Sequence, residues 1–225
     1  MTTVQAAERT GVDPRVLVTR ACALALVLAV PLVVGGLERT PLTHGFVTWL
    51  CSYSPERLVH GAFWTVPASA LLSAQPGKLG PDTIVPALVF APYILWLGPG
   101  RALRTFFAGH IVATLTAAVC IVGGVIAGSA VAHRLFTMND NGASAGLAAA
   151  AGGLGVLLWN SRWRALAVAV LGAVLLLFTY RIASESLSRT LADCEHLVAI
   201  ATGAFVEIRR REAGPRRAAP SLAVP

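Results

Sequence analysis

Long apolar runs separated by short polar segments constrain the fold of this 225-residue chain more than any other feature. Hydrophobic residues make up 56% of the sequence and charged residues only 13%, and the mean hydropathy is +0.69. Several runs approach or exceed the roughly 17 residues that a helix needs to cross a bilayer. A water-soluble domain needs more polar surface than this composition supplies. The sequence therefore predicts one all-α integral membrane domain.

The hydropathy pattern predicts a polytopic bundle of six transmembrane helices within residues 16–208. Residues 37–81 hold two apolar pieces too short to span, which predicts a long, partly interfacial first loop. Residues 1–15 and the basic segment 209–225 are predicted to be disordered cytoplasmic tails. The six predicted helices cover residues 16–36, 82–97, 105–131, 142–159, 165–180 and 187–208.

The distribution of arginine predicts how the bundle is oriented. With the N-terminus inside, inner segments hold 12 of the 18 Lys and Arg residues and outer segments hold 6. This bias follows the positive-inside rule and places both termini in the cytoplasm. It also accounts for the net charge of +7, because arginines that flank membrane helices contact membrane lipids. No nucleic-acid partner is needed to explain this charge. The Ala-, Gly-, Val- and Arg-rich composition is typical of a GC-rich bacterial genome, so we expect a multi-pass protein of the bacterial plasma membrane.

The segment that opens the predicted fourth helix carries the candidate chemistry. Ser144 is a potential nucleophile there, and His196 in the predicted sixth helix is a potential base, because a serine hydroxyl needs a partner that takes its proton. Both helices start on the outer side in this topology, so the two residues share a leaflet. Gly142, Ala143 and Asn141 are candidates for positioning the substrate and its oxyanion, since helix-start N–H groups favour negative charge.

Each of these residues also has a purely structural interpretation. Gly142-x-x-x-Gly146 is a helix-packing motif in which serine is common, so Ser144 can be a packing residue. Intramembrane histidines are costly and often functional, but His196 can also bond a backbone carbonyl. His110, in the predicted third helix, is expected to be a buried packing or hydrogen-bonding histidine. No spacing of His, Cys, Asp or Glu predicts a metal site, and no cofactor motif is visible.

The pair is more informative than either residue, because 52 residues and one complete helix separate Ser144 from His196. This arrangement resembles the rhomboid family of intramembrane serine proteases. In that family a G-x-S sequence opens the fourth of six helices, and the base histidine in the sixth is followed by small residues at +3 and +7. Ala199 and Gly203 occupy those positions here.

Two further stretches are similar to the family. The first-loop residues 56–63 look like its arginine-led motif without the tryptophan, and residues 97–101 look like its glycine-containing link between helices 2 and 3. The resemblance covers residues 16–208. It implies an intramembrane protease in which Ser144 attacks the scissile carbonyl of a transmembrane substrate and His196 transfers the proton. The implied partners are transmembrane substrates, and the sequence specifies no oligomeric state.

Helix 2 departs from the family pattern. Active rhomboids usually place a histidine and an asparagine there that help to hold the oxyanion, and residues 81–94 contain neither. The family usually has a glycine directly after the serine, and this chain has Ala145 there. A second hypothesis is therefore a catalytically inactive rhomboid-like protein that binds or escorts membrane helices. A third is a small transporter or channel, which the few ionisable core residues and the lack of a repeat disfavour.

Overall fold

The structure, a computed structural model, describes residues 13–72, 89–140, 142–159, 161–165, 167, 168, 171, 172, 176 and 187–213, the last range without the side chains of 187–190. Within these residues the chain is helical apart from turns and one isolated bridge between Tyr53 and Asp140. Residues 89–97 are also helical. The named helices are α1 Pro14–Arg39, α2 Pro41–Cys51, α3 Pro55–Val59, α4 Thr65–Ser69, α5 Pro99–Ile126, α6 Ala130–Phe136, α7 Ser144–Leu158 and α8 Leu187–Ala213.

Two of the described helices, α1 and α5, are long and apolar enough to cross a membrane. The 28 residues of α5 make a helix of about 42 Å, which exceeds a hydrocarbon core of about 30 Å. Large apolar side chains such as Leu26 on α1 and Val119 on α5 are exposed. The all-helical architecture and the apolar character of these two helices agree with the predicted membrane protein.

The start of α5 corrects the predicted third helix, which was expected over residues 105–131. The helix begins six residues earlier, at Pro99, and ends earlier, at Ile126. Gly98 makes the preceding turn with φ +87°, and proline is favoured at the first helical position because its missing N–H has no intrahelical partner there. At the other end Gly128, with φ +78°, turns the chain into α6.

The C-terminal helix corrects the predicted disordered tail. α8 continues to Ala213, so residues 209–213 are helical. Arg210 pairs with Glu207 one turn before it at 2.9 Å, and Arg211 donates to the carbonyl of Leu157 on α7 at 3.2 Å, so both side chains stabilise the extra turn.

Other boundaries compare as follows. The chain is already helical at Pro14 because Asp13 caps α1, which shortens the predicted N-terminal tail. The predicted fourth helix, over 142–159, agrees with α7 within two residues at each end. The predicted fifth helix and residues 82–88 of the second lie largely outside the described residues.

The core is a three-helix packing of α5, α7 and α8. Ala113 on α5, Ala145 and Ala149 on α7, and Ala199 on α8 form one buried cluster. Small side chains let the backbones approach closely, as membrane helices favour. The 89–97 segment packs Phe90, Tyr93 and Ile94 against the start of α5. Arg20 ties α1 to that segment by donating to the carbonyls of Leu95 at 2.6 Å and Trp96 at 3.2 Å.

Candidate functional site

Ser144 is the first residue of α7 and its side chain is exposed. Gly142, two residues earlier, has φ +136°, a conformation that residues with a side chain rarely adopt. The first N–H in α7 that bonds a helix carbonyl is that of Leu147, to Ala143 at 2.9 Å. The N–H groups before it, including that of Ser144, have no partner within the helix. Donors of this kind can stabilise an oxyanion beside the serine.

The first loop holds the segment that precedes Ser144. The N–H of Asp140 donates to the carbonyl of Tyr53 at 2.8 Å, and the N–H of Gly142 donates to the carbonyl of Ser69 at 3.0 Å. Tyr53 and Ser69 are both buried. The conformation of the glycine turn therefore depends on two backbone hydrogen bonds to the loop.

His110 on α5 connects the same loop to the bundle. Its Nε2 lies 2.9 Å from the carbonyl oxygen of Val66 and 3.1 Å from Oγ of Ser69. The side chain is buried and its ring stacks at 6.4 Å from that of Phe106. The prediction of a buried, hydrogen-bonding histidine is confirmed, and its structural role is to anchor α4.

Arg57, the arginine of the first-loop stretch, organises the end of α2. Its guanidinium donates to the carbonyls of Thr48, Trp49 and Ser52, the first at 3.4 Å. The last carbonyls of a helix lack intrahelical donors. A guanidinium there donates hydrogen bonds to them and interacts favourably with the negative end of the helix dipole. The arginine thus fixes the chain direction between α2 and Tyr53.

The register between α7 and α8 follows from the positions at which the two helices touch. A Cβ at Gly203 would meet the carbonyl oxygen of Ala149 at 1.8 Å. Four residues further along each helix, a Cβ at Gly153 would lie 3.1 Å from Glu207. Both pairs are 54 residues apart (203 − 149 and 207 − 153), as are Arg211 and Leu157 (211 − 157). The partners advance together, so α7 and α8 run parallel.

His196 lies on the face of α8 that packs against α7. Its helical neighbours on that face are Ile200, four residues on, and Gly203, seven residues on. A Cβ at Gly152 would lie 2.2 Å from the carbonyl oxygen of Ile200. Contacting residues of α7 and α8 are 48 (200 − 152) to 54 positions apart in the sequence. Adding these separations to 144 gives residues 192–198 as the part of α8 that lies level with Ser144. His196 is within this range.

Asp193 adjoins the histidine on the same helix. Its Oδ1 lies 3.7 Å from Nδ1 of His196, and the two side chains are 1% and 16% exposed. A carboxylate near a histidine can stabilise the imidazolium that forms when such a base accepts a proton. Asp193 and His196 are therefore neighbours on α8.

Glu195 points towards the loop instead. It lines a cavity of about 80 Å³ together with Asp140 and Tyr53. Burial, with the neighbouring carboxyls of Glu195 and Asp140, raises the pKa of the Tyr53 hydroxyl. That hydroxyl has no hydrogen-bond partner among the described residues.

Two sequence expectations about the oxyanion site have different outcomes. Asn141 lies outside the described residues, whereas Gly142 and Ala143 form the turn into α7. In the helical segment 89–97, which is the described part of the predicted second helix, Phe90 and Tyr93 are buried. Tyr93 donates a hydrogen bond to Glu207, which is near the opposite end of the bundle from Ser144. We refer below to these two ends as the Ser144 end and the Glu207 end.

The Glu207 end holds a buried polar cluster that no sequence motif predicts. Glu207 is fully buried and accepts hydrogen bonds from Arg101 at 2.9 Å, Arg210 at 2.9 Å, Thr105 at 3.0 Å and Tyr93. The available signal was its position four residues after Gly203, on the packed face of α8. A carboxylate at that position needs cationic partners, because an unpaired buried charge is very costly.

Comparisons with known proteins give no relative for this site. No family model matches the chain, no curated protein matches it, and no solved structure matches it.

Proposed function

We propose that this protein is a rhomboid-like intramembrane serine protease with a dyad of Ser144 and His196. The proposal rests on the register between α7 and α8, which brings the start of one helix level with the histidine of the other. The two reacting side chains come from helices that glycine allows to approach closely. The exposed serine stands at a helix start whose N–H groups lack intrahelical partners.

The reaction follows from these positions. Oγ of Ser144 attacks the scissile carbonyl carbon of the substrate, and the imidazole of His196 accepts the hydroxyl proton. The negative charge that develops on the carbonyl oxygen is met by N–H groups of the first turn of α7. The histidine then returns the proton to the amine leaving group as the peptide bond breaks. Water, deprotonated by the same histidine, hydrolyses the acyl-enzyme and regenerates Ser144.

The proposed setting is a six-helix bundle in the bacterial plasma membrane, with both termini in the cytoplasm. The two candidate spans support this setting. So do exposed tryptophans near both ends of the bundle, because indole rings favour the headgroup zone. Trp49 and Trp64 belong to the first loop, and Trp96 and Trp159 to the Glu207 end. Substrates in this setting are transmembrane segments that reach Ser144 from the outer leaflet.

Activity-based labelling tests the dyad. The purified full chain in detergent is treated with a fluorophosphonate, which reacts with an activated serine. We expect labelling of the wild type and of the control variants Ser161→Ala and His60→Ala, and no labelling of Ser144→Ala or His196→Ala. Labelling that persists in Ser144→Ala would reject Ser144 as the nucleophile.

The second candidate function is a rhomboid-like protein that binds or escorts membrane helices without cleaving them. The observation that favours it is the apolar character of the helical segment 89–97, the described part of the predicted second helix. Its buried Phe90 and Ile94 cannot donate a hydrogen bond to an oxyanion. Loss of one such donor typically costs about a hundred- to a thousand-fold in rate. A folded wild type that resists the fluorophosphonate but crosslinks to a single-span membrane peptide would favour this function.

A further inference from the structure

A basic cleft opens at the Glu207 end of the bundle, away from the proposed dyad. Its volume is about 400 Å³, and its lining comes from the turn before α5, the first residues of α5 and the end of α8. Pockets that bind small ligands typically have volumes of about 300–1,000 Å³. The lining residues are Leu97, Gly98, Gly100, Arg101, Arg104 and Arg210.

The charges around the cleft do not cancel. The single carboxylate of Glu207 pairs with both Arg101 and Arg210, and their side chains remain 29% exposed. Arg104 is exposed and has no ion-pair partner among the described residues. Three guanidinium groups with one carboxylate leave two positive charges. Each guanidinium carries five donors, so Glu207 does not saturate them.

The backbone leaves the cleft open and adds donors to it. A Cβ at Gly98 or Gly100 would meet nothing within 4 Å, so the space beside the arginines is free. The first N–H groups of α5, at Gly100 and Arg101, have no carbonyl partner within the helix and lie at the positive end of its dipole. The arginines already favour an anion in the cleft, and these N–H groups strengthen that preference.

Apolar and aromatic surface beside the cleft identifies the source of that anion. Leu97 lines it, and α5, which leads away from it, is one of the two helices able to span a bilayer. Trp96 is 57% exposed immediately before the cleft, and Trp159 is exposed at the same end. Tryptophan and arginine together mark the headgroup level of a membrane. A soluble phosphate compound would gain nothing from this apolar border, whereas a lipid tail would.

We propose that this cleft binds the phosphodiester headgroup of an anionic phospholipid. Arg101, Arg104 and Arg210 contact the phosphate oxygens, and the acyl chains lie along α5. Basic pockets between helices on the cytoplasmic side are suited to such headgroups. A lipid seated here bridges the start of α5 and the end of α8, so it stabilises the contact between them. The proposal is independent of whether Ser144 is catalytic.

The experiment measures how lipids shift the thermal unfolding of the full chain in a neutral detergent. Short-chain phosphatidylglycerol, short-chain phosphatidylcholine and sodium phosphate are titrated separately at constant ionic strength. We expect saturable stabilisation by phosphatidylglycerol, little by phosphatidylcholine and none by sodium phosphate. Stabilisation by sodium phosphate equal to that by phosphatidylglycerol would overturn the lipid assignment, and absence of any stabilisation would overturn the site.

Variants separate the cleft from general surface charge. Arg104→Gln removes a contact to phosphate, and we expect an affinity for phosphatidylglycerol about tenfold weaker. Arg209→Gln makes the same charge change at an exposed position of α8 outside the lining and is expected to bind as the wild type does. Gly100→Leu fills the cleft without changing charge and should also weaken binding. Equal weakening by Arg104→Gln and Arg209→Gln would overturn the proposal.

Discussion

Gly203 on α8 lies against the backbone of Ala149 on α7, where a Cβ would sit 1.8 Å from the carbonyl oxygen. No side chain fits in that space, and contacts below 3.0 Å force the helices apart. Together with the contact of Gly152 with Ile200, this contact fixes the register between α7 and α8. The packing of these helices and the proposed dyad therefore depend on the same glycine contacts.

Replacing this glycine should separate the two helices and disable the dyad. We expect Gly203→Leu to destabilise the protein by about 3 kcal/mol, because overpacking of a close contact typically costs about 1–3 kcal/mol or more. Fluorophosphonate labelling of Ser144 should fall below detection. Thermal unfolding in detergent measures the first effect and gel fluorescence the second.

The control for this variant is Gly123→Ala on α5. A Cβ there meets nothing within 4 Å, and alanine favours helix over glycine. We expect unchanged labelling and equal or higher stability. A Gly203→Leu protein that labels at the wild-type rate would show that the register does not control the dyad.

Asp193 should act as a positioning residue for His196. Removing its charge in Asp193→Asn weakens the support for an imidazolium 3.7 Å away, and we expect the labelling rate of Ser144 to fall about tenfold. Glu212→Gln, which removes an exposed carboxylate from the same helix, is the control. The rate should be measured across pH, because a merely structural effect would lower the curve without changing its shape.

Features of single helices were predictable from the sequence, whereas features made by several helices were not. The start of α7 followed from Gly142 and an apolar run, and the buried role of His110 followed from its place in an apolar helix. The sequence predicts a start for α5 that is too late, because Pro99 and Arg101 are also typical of a loop. Proline is equally suited to a first helical turn, and only tertiary contacts decide between the two.

The cluster around Glu207 shows the same limit. Its partners come from positions 93, 101, 105 and 210, on three separate helical segments. No spacing in the sequence connects Glu207 to Arg101, 106 residues away. The hydrogen bonds between the first loop and the turn before Ser144 are also invisible in sequence, because backbone atoms of Tyr53 and Ser69 make them.

The buried carboxylate at the Glu207 end should contribute strongly to stability. Glu207→Gln leaves Arg101 and Arg210 without a counter-ion, and breaking a buried ion pair from one side typically costs about 3–5 kcal/mol. We expect a loss near the lower value, since the amide still accepts hydrogen bonds. Thermal unfolding in a neutral detergent measures it.

Glu212→Gln is a matched control for that variant, because its pairing with Arg209 is exposed and exposed pairs contribute little. Its unfolding midpoint should equal that of the wild type. Equal midpoints for Glu207→Gln and the wild type would mean that the cluster does not stabilise the fold.

The proximity of Asp140 and Glu195, which line one small cavity, should make stability depend on pH. Two neighbouring carboxyls repel each other once both are ionised, so the folded protein loses stability as pH rises. In Glu195→Gln the side chain stays neutral and this repulsion is absent. We therefore expect the variant to be more stable than the wild type at high pH, by about 1 kcal/mol, and the difference to vanish at low pH. Unfolding midpoints between pH 5 and pH 9 test this, with Glu56→Gln in the first loop as the control. A constant difference across that range would mean that the two carboxyls do not interact in the folded protein.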